Sequence, residues 1–260
     1  MPETDLSLLI QAARAAGDIA TGFWGQSYEV WDKDDNAGPV TQADLQIDKM
    51  LKSTLMAQRP DYGWLSEETP DTSDRLTCDY CFIIDPLDGT RSFVAGERTW
   101  AHSLAIAKHG RIQTAVVYVP LLDLMYTADR DVGAFVNNDA LRVSAAETIT
   151  GARVITTRPA MSAEHWKNPK CPEFSRHFRP SLAYRMALVA QGRYDAMLTL
   201  RDSWEWDIAA GALLIEMAGG AVSDKYGTAI QFNAKWPKTR GIVAGAPAPH
   251  RDLIAALDPQ

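Results

Sequence analysis

Asp85-Pro86-Leu87-Asp88-Gly89-Thr90 sets two carboxylates three residues apart, beside a glycine and a hydroxyl. Hard divalent cations take oxygen ligands, and Mg2+ keeps several waters while accepting few carboxylates. Pro86 lacks an N–H and stiffens the segment, and Gly89 leaves backbone N–H groups uncovered. The apolar run before it, Cys81-Phe82-Ile83-Ile84, reads as a buried strand, so the acids fall at a strand's carboxyl end. Taken alone, the hexapeptide is equally an Asp-rich turn. Two other acidic elements bear on the choice. Glu67-Glu68 follows a short strand expected at Trp64-Leu65, and by itself is a solvated turn. Asp207 stands in the first turn of an apolar helix expected over 206–218, where capping alone would give it a use.

The remaining composition narrows the chemistry. No Ser/His/Asp triad or cysteine nucleophile competes with these acids, because none of the five histidines neighbours them in sequence. His109 belongs to a turn, and His102 to a strand with a satisfied partner. Cys78 and Cys81 form a C-x-x-C with no second pair to complete a zinc site, so they read as core or incidental thiols. Three cysteines suit a reducing cytoplasm. The net charge of −7, from 26 basic and 33 acidic residues, comes with no long basic run, so a nucleic-acid polymer is not an expected partner. No apolar run reaches membrane-span length, and residues 1–24 lack the marks of a secretion signal. At 260 residues and 46% hydrophobic, the chain suffices for a substantial core.

The elements that must position the acids follow from periodicity. Residues 5–24 form a helix capped by Thr4 or Asp5. An irregular loop covers 31–39. Thr41 caps a second helix, with Asp44 complementing its dipole and Leu45, Ile47, Met50, Leu51 and Leu55 as its buried stripe. One helical turn follows Thr90. Antiparallel strands are expected at 102–108, 112–119 and 122–127, with a hairpin over 133–143. From 145–151 the pattern turns from β-rich to mixed α/β, which divides the chain into 1–145 and 146–260. Beyond lie a strand at 154–156, a Pro-rich loop over 158–180, a helix at 181–191, a strand at 195–200, a loop at 201–205, short strands at 221–223 and 241–245, and a closing helix at 250–257.

Together the three acidic elements resemble the inositol monophosphatase family of lithium-sensitive, Mg2+-dependent phosphatases. The resemblance extends to Lys33, to Pro39-Val40-Thr41-x-Ala43-Asp44, to Gly110–Pro120 and to Leu124-Met125-Tyr126-Thr127-Ala128, and so covers nearly the whole chain. It implies an α/β (α+β) fold, a five-layered αβαβα sandwich of the sugar-phosphatase type. It implies that Glu67, Asp85 and the Leu87 carbonyl hold one Mg2+, that Asp85, Asp88 and Asp207 hold a second, and that Glu67 serves a third. Mn2+ is an alternative ion, and Li+ inhibits. Thr90, oriented by Asp44, acts with Glu67 on the attacking water. The N–H groups of Gly89 and Thr90 seat the phosphate, with Asp88, Ala183, Leu200 and Asp207 completing the substrate contacts. A small phosphorylated substrate, a homodimer and a cytoplasmic location complete the expectation.

The resemblance leaves the substrate open. Inositol-specific members carry a Glu seven residues before the Trp-Asp aspartate, where this chain has Leu200. Some spellings are closer to the 3′(2′),5′-bisphosphate nucleotidase branch, with Trp204, Trp206 and Arg201 available for stacking and phosphate contacts. Histidinol phosphate and sugar phosphates are further alternatives, and a non-catalytic metal-binding scaffold of the same fold is the alternative from another class.

Overall fold

The computed structural model describes residues 3–32 and 38–258. Helix α1 (Asp5–Phe23) begins at Thr4, whose hydroxyl accepts the Ser7 N–H. Strands β1 (Val30–Asp32) and β2 (Pro39–Thr41) pair antiparallel, so both ends of the expected irregular loop are strand; Lys33 lies outside the described residues. Helix α2 (Gln42–Gln58) starts with a full capping box made by Thr41 and Asp44. Its buried line is Ile47, Leu51 and Leu55. Leu45, expected in that line, is exposed: two residues before Ile47 it sits about 200° round the helix.

A seven-stranded sheet follows. Its strands are β3 (Gly63–Ser66), β4 (Tyr80–Asp88), β5 (Ala101–Lys108), β6 (Arg111–Val119), β7 (Leu124–Asp129), β8 (Gly133–Val136) and β9 (Asp139–Ala140), adjacent in that order. β3 and β4 run parallel; every later pair is antiparallel. The short helix α3 (Thr90–Val94) joins β4 to β5.

The second sheet draws on β10 (Arg153–Ile155), β11 (Ser175–His177), β12 (Ala196–Thr199), β14 (Ala221–Ser223) and β16 (Ile242–Gly245), in the order β11-β10-β12-β16-β14. A separate ribbon pairs β13 (Ser203–Trp204) with β15 (Lys238–Thr239). The expected loops over 158–180 and 201–205 therefore contain strands. Ser175-Arg176-His177 is polar and half exposed at a sheet edge, so it carries no apolar alternation to reveal it.

Side-chain alternation stacks these parts into five layers. Phe82, Ile84, Leu104 and Ile106 face α1 and α2. Their neighbours Cys81, Ile83 and Ala105 face the other way, against helices α4 (Leu182–Ala190) and α5 (Glu205–Met217). Met197, Ile242 and Ala244 of the second sheet close on those same helices. The alternates Ala196, Leu198 and Val243 pack on helix α6 (Pro247–Ala256) through Leu253. The result is the expected αβαβα sandwich. Helix α5 is apolar on nearly every face because a sheet covers it on both sides. Among the described residues, no helix is long and apolar enough to cross a membrane.

Candidate active site

The site forms where β4 loses its register with β5. Pairing is regular through Asp85 opposite Ser103 and shifts between Asp85 and Asp88. Gly89 then adopts φ +101, a left-handed conformation that a side chain would strain. Asp85 is buried, and its Oδ1 accepts the Leu87 N–H at 2.9 Å. Its Oδ2 is buried with no hydrogen-bond partner among the described residues. The Pro86 carbonyl accepts His102 Nδ1 at 2.5 Å, which places the proton on that nitrogen. His102 is thus the strand residue expected, with one ring nitrogen satisfied and Nε2 buried without a partner among the described residues.

Two other elements deliver acids to the same place. Glu67 follows β3, and its N–H donates to the Ile84 carbonyl, tying it to β4. Asp207 lies in the first turn of α5, where the Trp206 carbonyl accepts Ser103 Oγ at 2.9 Å. One oxygen each from Glu67, Asp85 and Asp207 lie within 4.8 Å of one another. Asp88 lines the same cavity, but its Oδ2 accepts Ser181 Oγ at 2.7 Å and the Ala183 N–H at 2.6 Å.

Thr90 and Asp44 meet as a pair. Asp44 Oδ2 accepts the Thr41 N–H at 2.9 Å and Thr41 Oγ1 at 2.5 Å, which leaves Oδ1 for Thr90 Oγ1 at 3.1 Å. The Leu87 carbonyl lies at the same 3.1 Å from the Thr90 hydroxyl, so one proton serves two acceptors.

Burial pushes the Asp85 carboxyl well above the usual range, and repulsion from Glu67, Asp88 and Asp207 adds to it. Asp207 is raised well above the usual range, by burial first and then by Asp88 and Glu67. Asp88 and Asp44 are raised by burial too, partly offset by the Ser181 and Thr41 hydrogen bonds respectively. Like charges held together in a low dielectric, around an unpartnered buried carboxylate oxygen, make a set that a hard divalent cation would relieve. All the donors are oxygens, as Mg2+ or Mn2+ requires.

Glu67, Asp85, Asp88, Asp207 and Thr90 line a cavity of about 490 Å3, and Arg185 and Arg201 line it too. Gly89 and Leu87 line it as well. Ala183 is fully buried with its N–H given to Asp88, and Leu200 packs beside the cluster on the outer face of the second sheet; neither lines this cavity. Sequence reasoning missed two supports. Asp48 is buried and accepts Ser66 Oγ and Thr69 Oγ1, each at 2.6 Å, bracketing Glu67 from both sides. Its one sequence signal is the i,i+4 spacing from Asp44 on a buried helix face. Arg185 is the other, and an arginine within an apolar helix was the available sign. Cys81 is inert, with its thiol pushed by burial to about 12.

An αβαβα sandwich with acids converging at a broken strand end defines a class of phosphatases. The chain matches the inositol monophosphatase family over residues 1–260 and belongs to it; it is a phosphoric monoester hydrolase. It is 35% identical to an inositol-1-monophosphatase of Rhizobium meliloti, over 85% of this chain and 86% of that one. A histidinol-phosphatase of Chlorobaculum parvum is 31% identical over 97% and 96%. A solved structure of an IMPase of Thermotoga maritima superposes with a TM-score of 0.82 at 27% identity, covering 96% of this chain and 95% of that one.

Proposed function

We propose that this chain is a Mg2+-dependent phosphomonoesterase acting on a small phosphorylated metabolite. The observation that carries the reading is the buried Asp85 carboxylate, whose Oδ2 has no hydrogen-bond partner among the described residues and one oxygen of which lies within 4.8 Å of oxygens of Glu67 and Asp207. Glu67, Asp85 and the Leu87 carbonyl would hold one Mg2+, and Asp85, Asp88 and Asp207 a second, with Glu67 serving a third. The 1–145 half then supplies every ligand but Asp207, which comes from 146–260. Bound Mg2+ lowers the pKa of a nucleophilic water and neutralises charge on the phosphoryl oxygens.

The chain's own groups do the rest. A threonine hydroxyl is no base at neutral pH, so Thr90 orients the attacking water while Asp44 fixes the hydroxyl's direction. Backbone N–H groups of Gly89 and Thr90 hold phosphate oxygens, which the glycine's open backbone permits. Arg185 and Arg201, which line the same cavity, offset phosphate charge. Inositol phosphates, adenosine 3′,5′-bisphosphate and histidinol phosphate are the substrates to compare. Li+ inhibition, a homodimer and a cytoplasmic location belong to the same reading.

Phosphate release over that panel, with Mg2+ or with EDTA, tests it. Wild type is expected to turn over at least one ester only with the metal, and Asp85→Asn to lose about 100- to 1000-fold in kcat/KM, the scale of a lost electrostatic group in the transition state. Wild type inactive on every ester with Mg2+ and with Mn2+ would sink the reading.

A further inference from the structure

Of the three acids whose oxygens converge, Glu67 is the one with no regular element beneath it. Asp85 belongs to β4 and Asp207 to α5, whereas residues 67–69 are irregular chain beyond the end of β3. Glu67 also has one more side-chain torsion than an aspartate and is less buried than Asp85. We infer that Asp48 is the positioning residue for Glu67, and that by holding this ligand still it gives the site a preference for Mg2+ over the larger Ca2+. This rests on the metal-dependent reading above and assigns the ion selectivity of that same site.

Asp48 grips the chain on both sides of Glu67. Ser66 Oγ donates to its Oδ1 and Thr69 Oγ1 to its Oδ2, each at 2.6 Å, the length of charge-assisted O–H···O bonds. One carboxylate thus closes the segment 66–69 into a small loop with Glu67 inside it. An asparagine could not do the same, because its NH2 group accepts nothing and only one oxygen remains for two hydroxyl protons. Each flank has a second anchor. Ser66 pairs with Ile84 in the β3–β4 ladder, and Trp64 Nε1 donates to Thr69 Oγ1 at 3.2 Å.

The brace is itself mounted rigidly. Asp48 is 8% exposed, on the face of α2 that buries Ile47, Leu51 and Leu55, and it follows Asp44 by one helical turn. Asp44 directs the Thr90 hydroxyl, so one buried helix face places both that hydroxyl and the Glu67 segment. Rigidity at Glu67 bears on which ion fits. Mg2+ takes near-octahedral oxygens at about 2.0–2.1 Å, whereas Ca2+ takes more of them, at about 2.3–2.6 Å, in a looser geometry. A carboxylate on a braced turn is slow to retreat to the longer distance, and one on a released turn retreats freely. Asp85 and Asp88 are held by hydrogen bonds of their own, to the Leu87 N–H and to Ser181 and Ala183. Glu67 is therefore where added freedom would enter the site.

Calorimetric titration with Mg2+ and with Ca2+, in the absence of substrate, tests this on wild type, Asp48→Asn and the double variant Ser66→Ala/Thr69→Val. The readout is the ratio of Kd for Ca2+ to Kd for Mg2+, which a general loss of stability does not move. The ratio is expected to fall about tenfold in Asp48→Asn, the scale on which losing a group that orients a metal ligand weakens a site. The double variant is expected to show the same fall, and adding Asp48→Asn to it to change the ratio by less than about twofold, because the three groups act as one unit. The double variant carries the test should Asp48→Asn not fold. A ratio equal to wild type's in every folded variant overturns the inference and leaves the phosphatase reading standing. Wild type that binds neither ion overturns the metal-dependent reading and the inference together.

Discussion

His102 shows how a single side chain can hold the acidic turn and also set the protein's response to acid. Its Nδ1 proton binds the Pro86 carbonyl, between the two acids of the turn, and its ring packs edge-on to Trp100 at 5.6 Å. Burial pushes the imidazole down to about 4 from an ordinary value of 6.5, although the Pro86 hydrogen bond favours the charged form. An unfolded chain therefore takes up this proton before the folded one does. The contribution to stability is full above about pH 6.5 and is lost as pH falls towards 4, and its size is about 3 kcal/mol. His102→Asn keeps a donor near the Pro86 carbonyl and does not titrate. Urea unfolding between pH 4 and pH 7 is expected to give the variant a stability change smaller than wild type's by that amount. An unchanged slope in the variant would assign the acid sensitivity to other groups.

At the scale of elements, the crossing of α4 and α5 holds Asp207 in place, and Gly211 sets how close that crossing is. A Cβ at Gly211 would lie 2.4 Å from Met186 Cβ and 2.8 Å from its Sδ. Two effects oppose each other in Gly211→Ala. Helix propensity favours alanine by about 1 kcal/mol. Overpacking a filled core costs about 1–3 kcal/mol, and the Met186 Cβ is no flexible chain end that can swing away. The second effect wins, so thermal melts should give Gly211→Ala a Tm a few degrees below wild type; a Tm at or above wild type would mean the two helices separate freely. The same crossing marks what the sequence could reveal. Helix α5 was legible because its apolar run is continuous, and α2 because Thr41 and Asp44 spell a cap. Asp85, Asp88 and Gly89 stood out because a turn at a strand end has its own residue chemistry. Three things had no local signal. Asp88 bonds Ser181 and Ala183, more than ninety positions away. The edge strand Ser175–His177 lacks alternation. In Ala209-Ala210-Gly211-Ala212, only the neighbouring helix distinguishes the glycine from the alanines around it.

For the whole molecule, the site is a place where folding works against electrostatics. Acids from the ends of β3 and β4 and the start of α5 are brought together and taken from water, in a chain already at net charge −7. Without a cation this arrangement costs stability, because burial and mutual repulsion both raise Asp85 and Asp207. A cation that binds the folded chain alone returns stability by mass action, about 2.7 kcal/mol at a hundredfold excess over Kd. For a protein of this size that is a rise in Tm of roughly 5–10 °C. Asp85→Asn separates the two effects. It removes one of the crowded charges and the proposed bridging ligand together. In EDTA the variant should melt at or above wild type, since the repulsion is relieved. In millimolar Mg2+ the order should reverse, because wild type gains the binding energy and the variant gains little. Thermal melts of both proteins in both buffers check this, and an equal Mg2+ shift in the two would mean that the ion stabilises the protein somewhere other than at Asp85.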